Sequence, residues 1–323
     1  MVIGNWGLAE FEDTPPGHRS GFVAVVGKPN VGKSTLMNAL LGEKVAIVSK
    51  KPQTTRAQIR GILTRPDAQI VFVDTPGIHR PRHRLGQAMV RAAIQTIPDA
   101  DVVLFVVDST EAPDAGDRHI ARLIRERGED RPAILVLNKM DCLRPEQVKD
   151  SVEAYWSLAP TPEGGAPPEP WDWMMISATQ LANLDKLVDR IVARLPEGPR
   201  YYPPGQIADQ DERHFAAELI REQALRHLRQ EVPHAVAVVV DEHTARSTRL
   251  DYIAATIVVE KETQKGILIG KGGRTLRQIG ADARHEIERM LGKQAYLELQ
   301  VKVRKDWRED ERELRRMGYS SDQ

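Results

Sequence analysis

Short aliphatic runs alternate with helical patterns between positions 21 and 195 of the chain. The runs, among them FVAVVG, IVFVD, VVLFVVD and AILVLN, are apolar almost throughout, as strands buried on both faces of a sheet are. Between them lie segments such as KSTLMNALL, whose composition and length suit helices. This alternation is typical of βαβ units. The pattern predicts an α/β fold with a mostly parallel sheet covered by helices on both faces.

A different order of elements follows position 212, and it predicts a second, smaller α+β domain. The order is αββααβ, in which the longer of the two central helices has an apolar face. The predicted elements are a helix over 212–230, strands over 235–241 and 252–261, helices over 265–269 and 274–291, and a strand over 295–303.

Proline and glycine mark the boundaries between these parts. The predicted divisions are a flexible N-terminal arm over 1–20, the α/β domain over 21–195, a linker over 196–211 and the second domain over 212–323. A further run of prolines and glycines over 160–170 predicts a surface loop before the last strand of the first domain.

Composition narrows the class of protein. Hydrophobic residues at 41% and charged residues at 28% are ordinary for a soluble globular protein. The first twenty residues lack a basic start followed by an apolar stretch, so a cytoplasmic location is expected. The single cysteine, Cys142, excludes an internal disulfide and a cysteine-based zinc site. The net charge is zero, so any contact with nucleic acid must come from a local basic patch.

The segment GKPNVGKS at 27–34 matches the P-loop pattern GxxxxGK[ST], between a predicted strand and a predicted helix. Its glycines allow backbone N–H groups to approach phosphates, aided by the helix N-terminus behind them. Lys33 is expected to neutralise the β- and γ-phosphates, and the hydroxyl of Ser34 to bind Mg²⁺. The nucleotide-binding residues predicted here are Gly27, Lys28, Pro29, Asn30, Val31, Gly32, Lys33, Ser34 and Thr35.

A P-loop occurs in kinases, ATPases and GTPases alike. The motif that recognises the base therefore decides between these classes. Asn138-Lys139-Met140-Asp141 fits NKxD at the end of a predicted strand. The carboxylate of Asp141 can accept from N1–H and the 2-amino group of guanine, and adenine offers neither donor there. Asn138 is expected to support the base edge, and the stem of Lys139 to lie against the ring. Ser177 and Ala178, after the strand WMMIS, are expected to present backbone N–H to guanine O6.

The segment Asp74-Thr75-Pro76-Gly77 fits DxxG at the end of another predicted strand. Asp74 is expected to reach Mg²⁺, and the N–H of Gly77 to contact the γ-phosphate. Between the two phosphate motifs, PQTTR at 52–56 offers a threonine that closes over Mg²⁺ when GTP is bound. Thr55 is favoured for this role, with Thr54 as the alternative. The predicted metal ligands are therefore Ser34, Thr55 and Asp74, and the predicted cofactor is Mg²⁺ with GTP or GDP as ligand.

The segment Gly270-Lys271-Gly272-Gly273 is a GxxG loop between two predicted helices of the second domain. Such a loop is a weak signal alone, but the αββααβ order and the surrounding basic residues are typical of a type II KH domain, which clamps about four nucleotides. The predicted RNA-binding residues are Lys265, Gly270, Lys271, Gly272, Gly273, Arg274 and Arg277.

The chain from position 21 to about 318 resembles the Era family of bacterial GTPases that assist assembly of the small ribosomal subunit. The resemblance rests on GKPNVGKST, PQTTR, VDTPGIH and NKMD in the first domain, and on QKGILIGKGG with VKVRKDWR in the second. It implies a monomeric GTPase whose KH domain binds 16S rRNA near its 3′ end in the 30S subunit. It also allows peripheral association with the cytoplasmic face of the membrane.

Two residues bear on how GTP is hydrolysed in this family. Ile78 follows the DxxG motif, where many small GTPases carry the glutamine that orients the attacking water. In related GTPases an asparagine at the position of Asn30 helps to bind K⁺, so K⁺ is an additional expected cofactor. The residues expected to act in catalysis are Lys33, Asn30 and Gly77.

Two alternatives differ in class. A metabolic P-loop kinase would transfer phosphate to a small acceptor, and the pair of motifs DTPG and NKMD argues against it. A ribosome-binding GTPase with two tandem GTPase domains is contradicted by the single GxxxxGK[ST] in the chain.

Replacement of Asp141 tests the choice of base. In Asp141→Asn the amide can no longer accept from both guanine donors, but it can pair with the extra carbonyl of xanthine. We expect the affinity for GTP to fall and the affinity for xanthosine triphosphate to rise in equilibrium binding measurements. Unchanged GTP affinity would refute the assignment of Asp141.

Overall fold

The structure is a computed structural model that describes residues 14–49, 51, 53–128, 131–158, 171–229 and 232–319. Most of the predicted N-terminal arm, the predicted loop over 160–170 and Pro52 lie outside the described residues.

The first domain is built on a six-stranded sheet that is parallel except at one edge. The strand order is β2-β3-β1-β4-β5-β6. The connections that follow β1 and β4 run to opposite sides of the sheet, which opens a crevice at the carboxyl ends of these central strands. The strands are β1 (Arg19–Val26), β2 (Ile59–Thr64), β3 (Ala68–Asp74), β4 (Val102–Asp108), β5 (Ala133–Asn138) and β6 (Asp172–Met175).

In the described part of this domain, helices cover both faces of the sheet, as the alternation of elements predicts. They are α1 (Lys33–Leu41), α2 (Arg84–Asp99), α3 (Ala115–Gly128), α4 (Pro145–Trp156) and α5 (Leu184–Val192). Leu36 of α1 and Leu187 of α5 pack in a core on one face. Ile97 of α2, Ile120 of α3 and Tyr155 of α4 pack in a core on the other. The predicted α/β fold is confirmed.

The edge strand β2 was not predicted. It pairs antiparallel with β3, with Ile59 opposite Asp74. Its sequence IRGILT is short and contains an exposed arginine and a glycine, so it lacks the apolar run of the central strands. The glycine packs closely against α1, since a Cβ on Gly61 would lie 2.4 Å from Leu41 Cδ1 and the leucine side chain would have to move.

The second domain has its own three-stranded sheet, in the order β7-β8-β9. The β7–β8 pair is antiparallel and the β8–β9 pair parallel. The elements, in the predicted order αββααβ, are α6 (Glu212–His227), β7 (Ala237–Ser247), β8 (Leu250–Val259), α7 (Glu262–Ile269), α8 (Arg274–Leu291) and β9 (Gln294–Val303).

The apolar face predicted for the long helix of this domain lies in its core. Ile279, Ala283 and Ile287 of α8 are fully buried, and Leu276 and Met290 pack at the edge of the same core. This agreement, with the sheet topology, confirms the predicted α+β domain.

Several element bounds of the second domain shift by two or three residues, and two features differ from the prediction by more. The strand predicted over 235–241 begins at Ala237 and continues to Ser247, because exposed polar residues prolong the hairpin with β8 beyond its apolar part. A final helix, α9 (Glu311–Arg316), was not predicted. It has only one buried residue, Leu314, so its sequence carries almost no helical periodicity.

The predicted linker is bonded to the first domain along much of its length. Backbone N–H groups of Tyr201 and Tyr202 donate to Gln69 Oε1 at 2.7 and 2.9 Å. Ile62 N donates to Ile207 O at 2.7 Å. The chain between the domains is thus fixed to the edge of the six-stranded sheet.

Among the described residues, no helix has both the length and the apolar character required to cross a membrane.

Candidate functional site

The sequence motifs of the first domain meet at the carboxyl edge of its sheet. The P-loop follows β1, the DxxG segment follows β3 and the NKxD segment follows β5. Parallel pairing of β1 with β3 and β4 brings these strand ends side by side. A cavity of about 510 Å³ opens between them, with Lys33, Ser34, Thr55 and Asp141 in its wall.

The P-loop wraps closely around its own lysine. Lys33 Nζ donates to Gly27 O at 3.2 Å and to Lys28 O at 2.8 Å. Burial lowers the pKa of Lys33 to about 8, and the neighbouring carboxylate of Asp74 opposes this shift. Only glycine fits at position 27, because a Cβ there would lie 2.2 Å from Val106 O. The ammonium group is therefore held at the start of α1. The N-terminus of a helix is a common binding site for phosphate.

Three oxygen donors converge beside the lysine. Ser34 Oγ lies 2.6 Å from Asp74 Oδ2 and 2.8 Å from Thr55 Oγ1. Thr55 Oγ1 lies 3.3 Å from Asp74 Oδ2. Asp74 is buried, and among the described residues its Oδ1 has no hydrogen-bond partner. In nucleotide sites Mg²⁺ is bound by one or two protein oxygens in addition to phosphate oxygens. Two hydroxyls and a buried carboxylate oxygen without a hydrogen-bond partner suit this ion.

The two candidate threonines occupy different positions. Thr55 is buried next to Ser34 and Asp74, whereas the hydroxyl of Thr54 donates to Lys51 O at 2.7 Å. The structure thus brings Thr55, and not Thr54, to the other predicted metal ligands.

The base-reading segment forms the other end of the cavity. Asp141 is exposed, and hydrogen bonding from Ser177 lowers the pKa of its carboxyl, so that Asp141 is an anionic acceptor at neutral pH. Lys139 adopts a left-handed backbone, with φ 68°, and its ammonium pairs with Asp108. The lysine stem lies along the cavity wall as a result.

Asn138 connects three loops of the site. Its Nδ2 donates to Val31 O of the P-loop at 2.9 Å, and its Oδ1 accepts from Ala178 N at 3.1 Å. A Cβ on Gly32 would lie 2.3 Å from Asn138 Nδ2, so this P-loop glycine is required for the contact. The side chain that was predicted to support the base edge thus fixes the base loops to the phosphate loop.

The Lys28 side chain turns away from the cavity. Its Nζ pairs with Asp114 at 3.0 Å and with Asp117 at 2.8 Å, near the start of α3. Although burial opposes the shift, these two carboxylates raise the pKa of Lys28. Any contact of Lys28 with nucleotide is therefore left to its backbone.

The DxxG segment crosses directly over the P-loop. A Cβ on Gly77 would lie 2.6 Å from Pro29 N, so the two loops can meet only at a glycine. Thr75 Oγ1 donates to Val25 O at 2.8 Å and fixes the segment to β1. Ile78 is 2% exposed and packs in the core beneath. Its side chain supplies no polar group to the cavity.

Several residues that line the cavity were not predicted. Thr179 belongs to the base end, where its Oγ1 lies 3.5 Å from Asp141 Oδ2. Its position directly after Ser177-Ala178 is the one signal that could have identified it. The other unpredicted lining residues are Ile47, Val48, Ser49, Gln53 and Cys142.

The GxxG loop of the second domain has a backbone that glycine alone adopts readily. Gly270, Gly272 and Gly273 have φ values of 71°, 61° and 75°. No heavy atom lies within 4 Å of a Cβ placed on Gly272 or Gly273. The loop thus presents open backbone on the surface between α7 and α8.

The predicted basic residues near this loop differ in their exposure and in their contacts. Lys271 and Arg274 are exposed, and neither forms an ion pair within the described parts of the chain. Arg277 Nη2 donates to Gly272 O at 2.7 Å and supports the loop itself. Lys265 is partly buried on α7. Two free cations beside exposed backbone form a surface suited to phosphate groups.

Comparisons with known proteins agree with this arrangement. The family described as 50S ribosome-binding GTPase matches residues 22–139, and the KH domain family matches residues 231–308. GTPase Era of Heliobacterium modesticaldum is 47% identical over 93% of this chain and 97% of its own length. GTPase Era of Staphylococcus haemolyticus is 44% identical over 95% and 99%.

Two solved structures match nearly the whole chain, each with 41% identity over 94% of this chain and 99% of the other. One is a variant of Aquifex aeolicus Era bound to GDP and AlF4⁻, with a TM-score of 0.87. The second is Era in complex with MgGDPNP and nucleotides 1506–1542 of 16S ribosomal RNA, with a TM-score of 0.86.

Replacement of the two threonines tests the metal site. Thr55→Ala removes an oxygen that is needed only when the γ-phosphate is present. We expect GDP affinity to stay within about twofold and GTP hydrolysis to slow by about tenfold or more. Thr54→Ala is the matched control, since its hydroxyl bonds within the loop, and it should hydrolyse GTP at nearly the wild-type rate. A larger effect of Thr54→Ala would move the assignment by one residue.

Proposed function

Because this chain belongs to the Era family of GTPases, we propose that it is a GTP-controlled RNA-binding protein that acts on 16S rRNA near its 3′ end during assembly of the 30S subunit. The observation that carries the proposal is the presence, in one chain, of a complete phosphate and guanine site and an open GxxG loop. The proposed divisions are the GTPase domain over 21–195, the linker over 196–211 and the KH domain over 212–323.

In this proposal the cavity binds GTP, and water attacks the γ-phosphate in line with the bond to the leaving GDP. Lys33 stabilises charge on the β- and γ-phosphates, and the backbone N–H of Gly77 contacts the γ-phosphate. Ser34, Thr55 and Asp74 hold Mg²⁺, which when bound offsets the negative charge of the phosphates. Asp141 selects guanine. The catalysis consists of positioning and electrostatic stabilisation.

We also propose K⁺ as a second cation. Ile78 is buried where other GTPases have a water-orienting glutamine, and Asn30 is exposed on the P-loop at the mouth of the cavity. A monovalent cation beside Asn30 would supply positive charge that an arginine finger provides elsewhere.

The choice of monovalent cation tests this role. We expect GTP hydrolysis to be about tenfold faster in KCl than in NaCl at equal ionic strength, a small part of what an arginine finger achieves. Asn30→Ala should remove the difference while GDP still binds. Equal rates of the wild-type chain in the two salts would count against K⁺.

The RNA site is proposed at the GxxG loop. Lys271, Arg274 and Lys265 would contact phosphates, and Arg277 would hold the loop in shape. The relative bound to nucleotides 1506–1542 of 16S rRNA supports this choice of ligand. Assembly on the 30S subunit, a monomeric state, and a cytoplasmic location with peripheral membrane association rest on the family alone. Co-sedimentation with 30S subunits and with liposomes tests the two associations.

A double replacement in the loop tests the RNA site. Lys271→Asp with Gly272→Asp places two anions against the RNA backbone, which should weaken binding of a labelled 3′-end fragment by about a hundredfold. The matched control is Thr248→Asp with Arg249→Asp, which makes the same change of charge in the exposed β7–β8 turn. Guanine-nucleotide affinity should be unchanged in both. RNA affinity that ignores the loop substitutions would refute the KH assignment.

The coupling between nucleotide and RNA is measured in the same titration. If a non-hydrolysable GTP analogue raises RNA affinity relative to GDP, RNA must raise affinity for the analogue by the same factor. RNA affinity that is equal with the two nucleotides would leave both sites intact and remove the switch.

A further inference from the structure

The segment that carries Thr55 is bonded to the KH domain at both ends. We call residues 44–56, of which the structure describes all but two, the switch segment. At its start, Lys44 Nζ pairs with Glu222 of α6 at 2.6 Å, and Val48 N donates to the same carboxylate at 3.2 Å. Further along, the ammonium of Lys51 donates to carbonyls at the end of α6.

The other end of the switch segment is attached through Arg56. Arg56 is 4% exposed, and its guanidinium donates to Val236 O at 2.6 Å and to His234 O at 3.0 Å. The guanidinium carbon lies 5.7 Å from the ring centre of Trp307 and 5.8 Å from that of Tyr319. All four of these partners belong to the KH domain. The two ring distances are within the range in which arginine and aromatic rings attract each other.

A second arginine completes the attachment from the opposite side. Arg221 of α6 is fully buried, and it donates to the carbonyl of Thr54. Glu218 holds Arg221 in place through two bonds of 2.6 and 2.8 Å. The residues on both sides of Thr55 are therefore bonded to the KH domain, one as donor and one as acceptor.

A buried arginine in this place is costly without its partners. Burial lowers the pKa of Arg56 to about 10, which leaves the guanidinium charged at neutral pH. A buried charge is weak evidence for affinity between the domains, but the two carbonyls fix the orientation of the guanidinium. Because adjacent residues are joined by one peptide unit, Arg56 cannot shift by several ångströms without moving Thr55.

We propose that Arg56 is a positioning residue for GTP hydrolysis, which acts by fixing Thr55 beside Ser34 and Asp74 only while the KH domain is docked on the switch segment. The inference rests on the proposed function. It adds that Arg56 links the position of the KH domain to the position of Thr55 beside the γ-phosphate.

The test compares kcat for GTP hydrolysis with the affinity for GDP in the full chain. Arg56→Ala should lower kcat by on the order of tenfold, as small displacements of catalytic groups do. GDP affinity should remain that of the wild type, since Thr55 is not needed for GDP. Arg65→Ala is the matched control, because Arg65 is nine residues further along the chain and pairs at the surface with Asp67 and Asp189 of the same domain. It should keep the wild-type kcat.

A double-mutant cycle separates positioning from general damage. Tyr319→Leu removes one ring from the other domain and should lower kcat in the same direction. In the double variant the two effects should not add, because both act through the same guanidinium. Additive effects, or a Tyr319→Leu chain with wild-type kcat, would overturn the proposal.

If Arg56→Ala does not fold, as judged by loss of GDP binding, Arg56→Lys carries the test. Lysine keeps the charge but cannot donate to two carbonyls in a fixed fork. A reduced kcat with unchanged GDP affinity supports the proposal, and a wild-type kcat overturns it. A wild-type chain that hydrolyses no GTP would instead contradict the proposed function itself.

Discussion

Asp74 lies at the carboxyl end of β3 with no exposed surface, and an ionised carboxylate is costly there unless donors and cations surround it. Burial raises the pKa of Asp74, while Lys33, Ser34 and Thr55 oppose that shift. Lys33 and Ser34 lie at the end of the P-loop, and Thr55 lies in the switch segment. The P-loop, the switch segment and the end of β3 are thus held together by the need to satisfy one buried charge.

The contacts of Asp74 continue beyond the nucleotide site. Thr55 is a partner of Asp74, and its neighbours are bonded to the KH domain through Arg56 and Arg221. Asn138 plays a corresponding part on the other side, where it joins the P-loop to the base loops. A continuous series of contacts therefore joins the phosphate end of the cavity to the second domain.

The sequence was most informative where chemistry is local. Strand ends in a parallel sheet fall on one edge, so the motifs after β1, β3 and β5 could be brought together without coordinates. The GxxG loop was identified in the same way, from glycines between two helices. Both domains of the predicted fold are confirmed. By contrast β2 and α9 were missed, since a short edge strand and a helix with one buried residue lack periodicity. Arg56 and Asn138 owe their roles to partners more than one hundred positions away, which no local pattern reveals.

The attachment of the linker limits how the two domains can move. Arg60 of β2 pairs with Asp209 at 3.1 Å, and Asp211 already caps α6 by accepting from His214 N at 2.8 Å. Between these fixed points lies a single residue, Gln210, so the free tether is only about 7 Å of chain. If the KH domain leaves the switch segment while the linker stays bonded, it must swing about this pivot and cannot drift away. This restricted motion keeps the released RNA-binding surface close to the GTPase domain. Re-docking is then a first-order step whose rate does not depend on protein concentration.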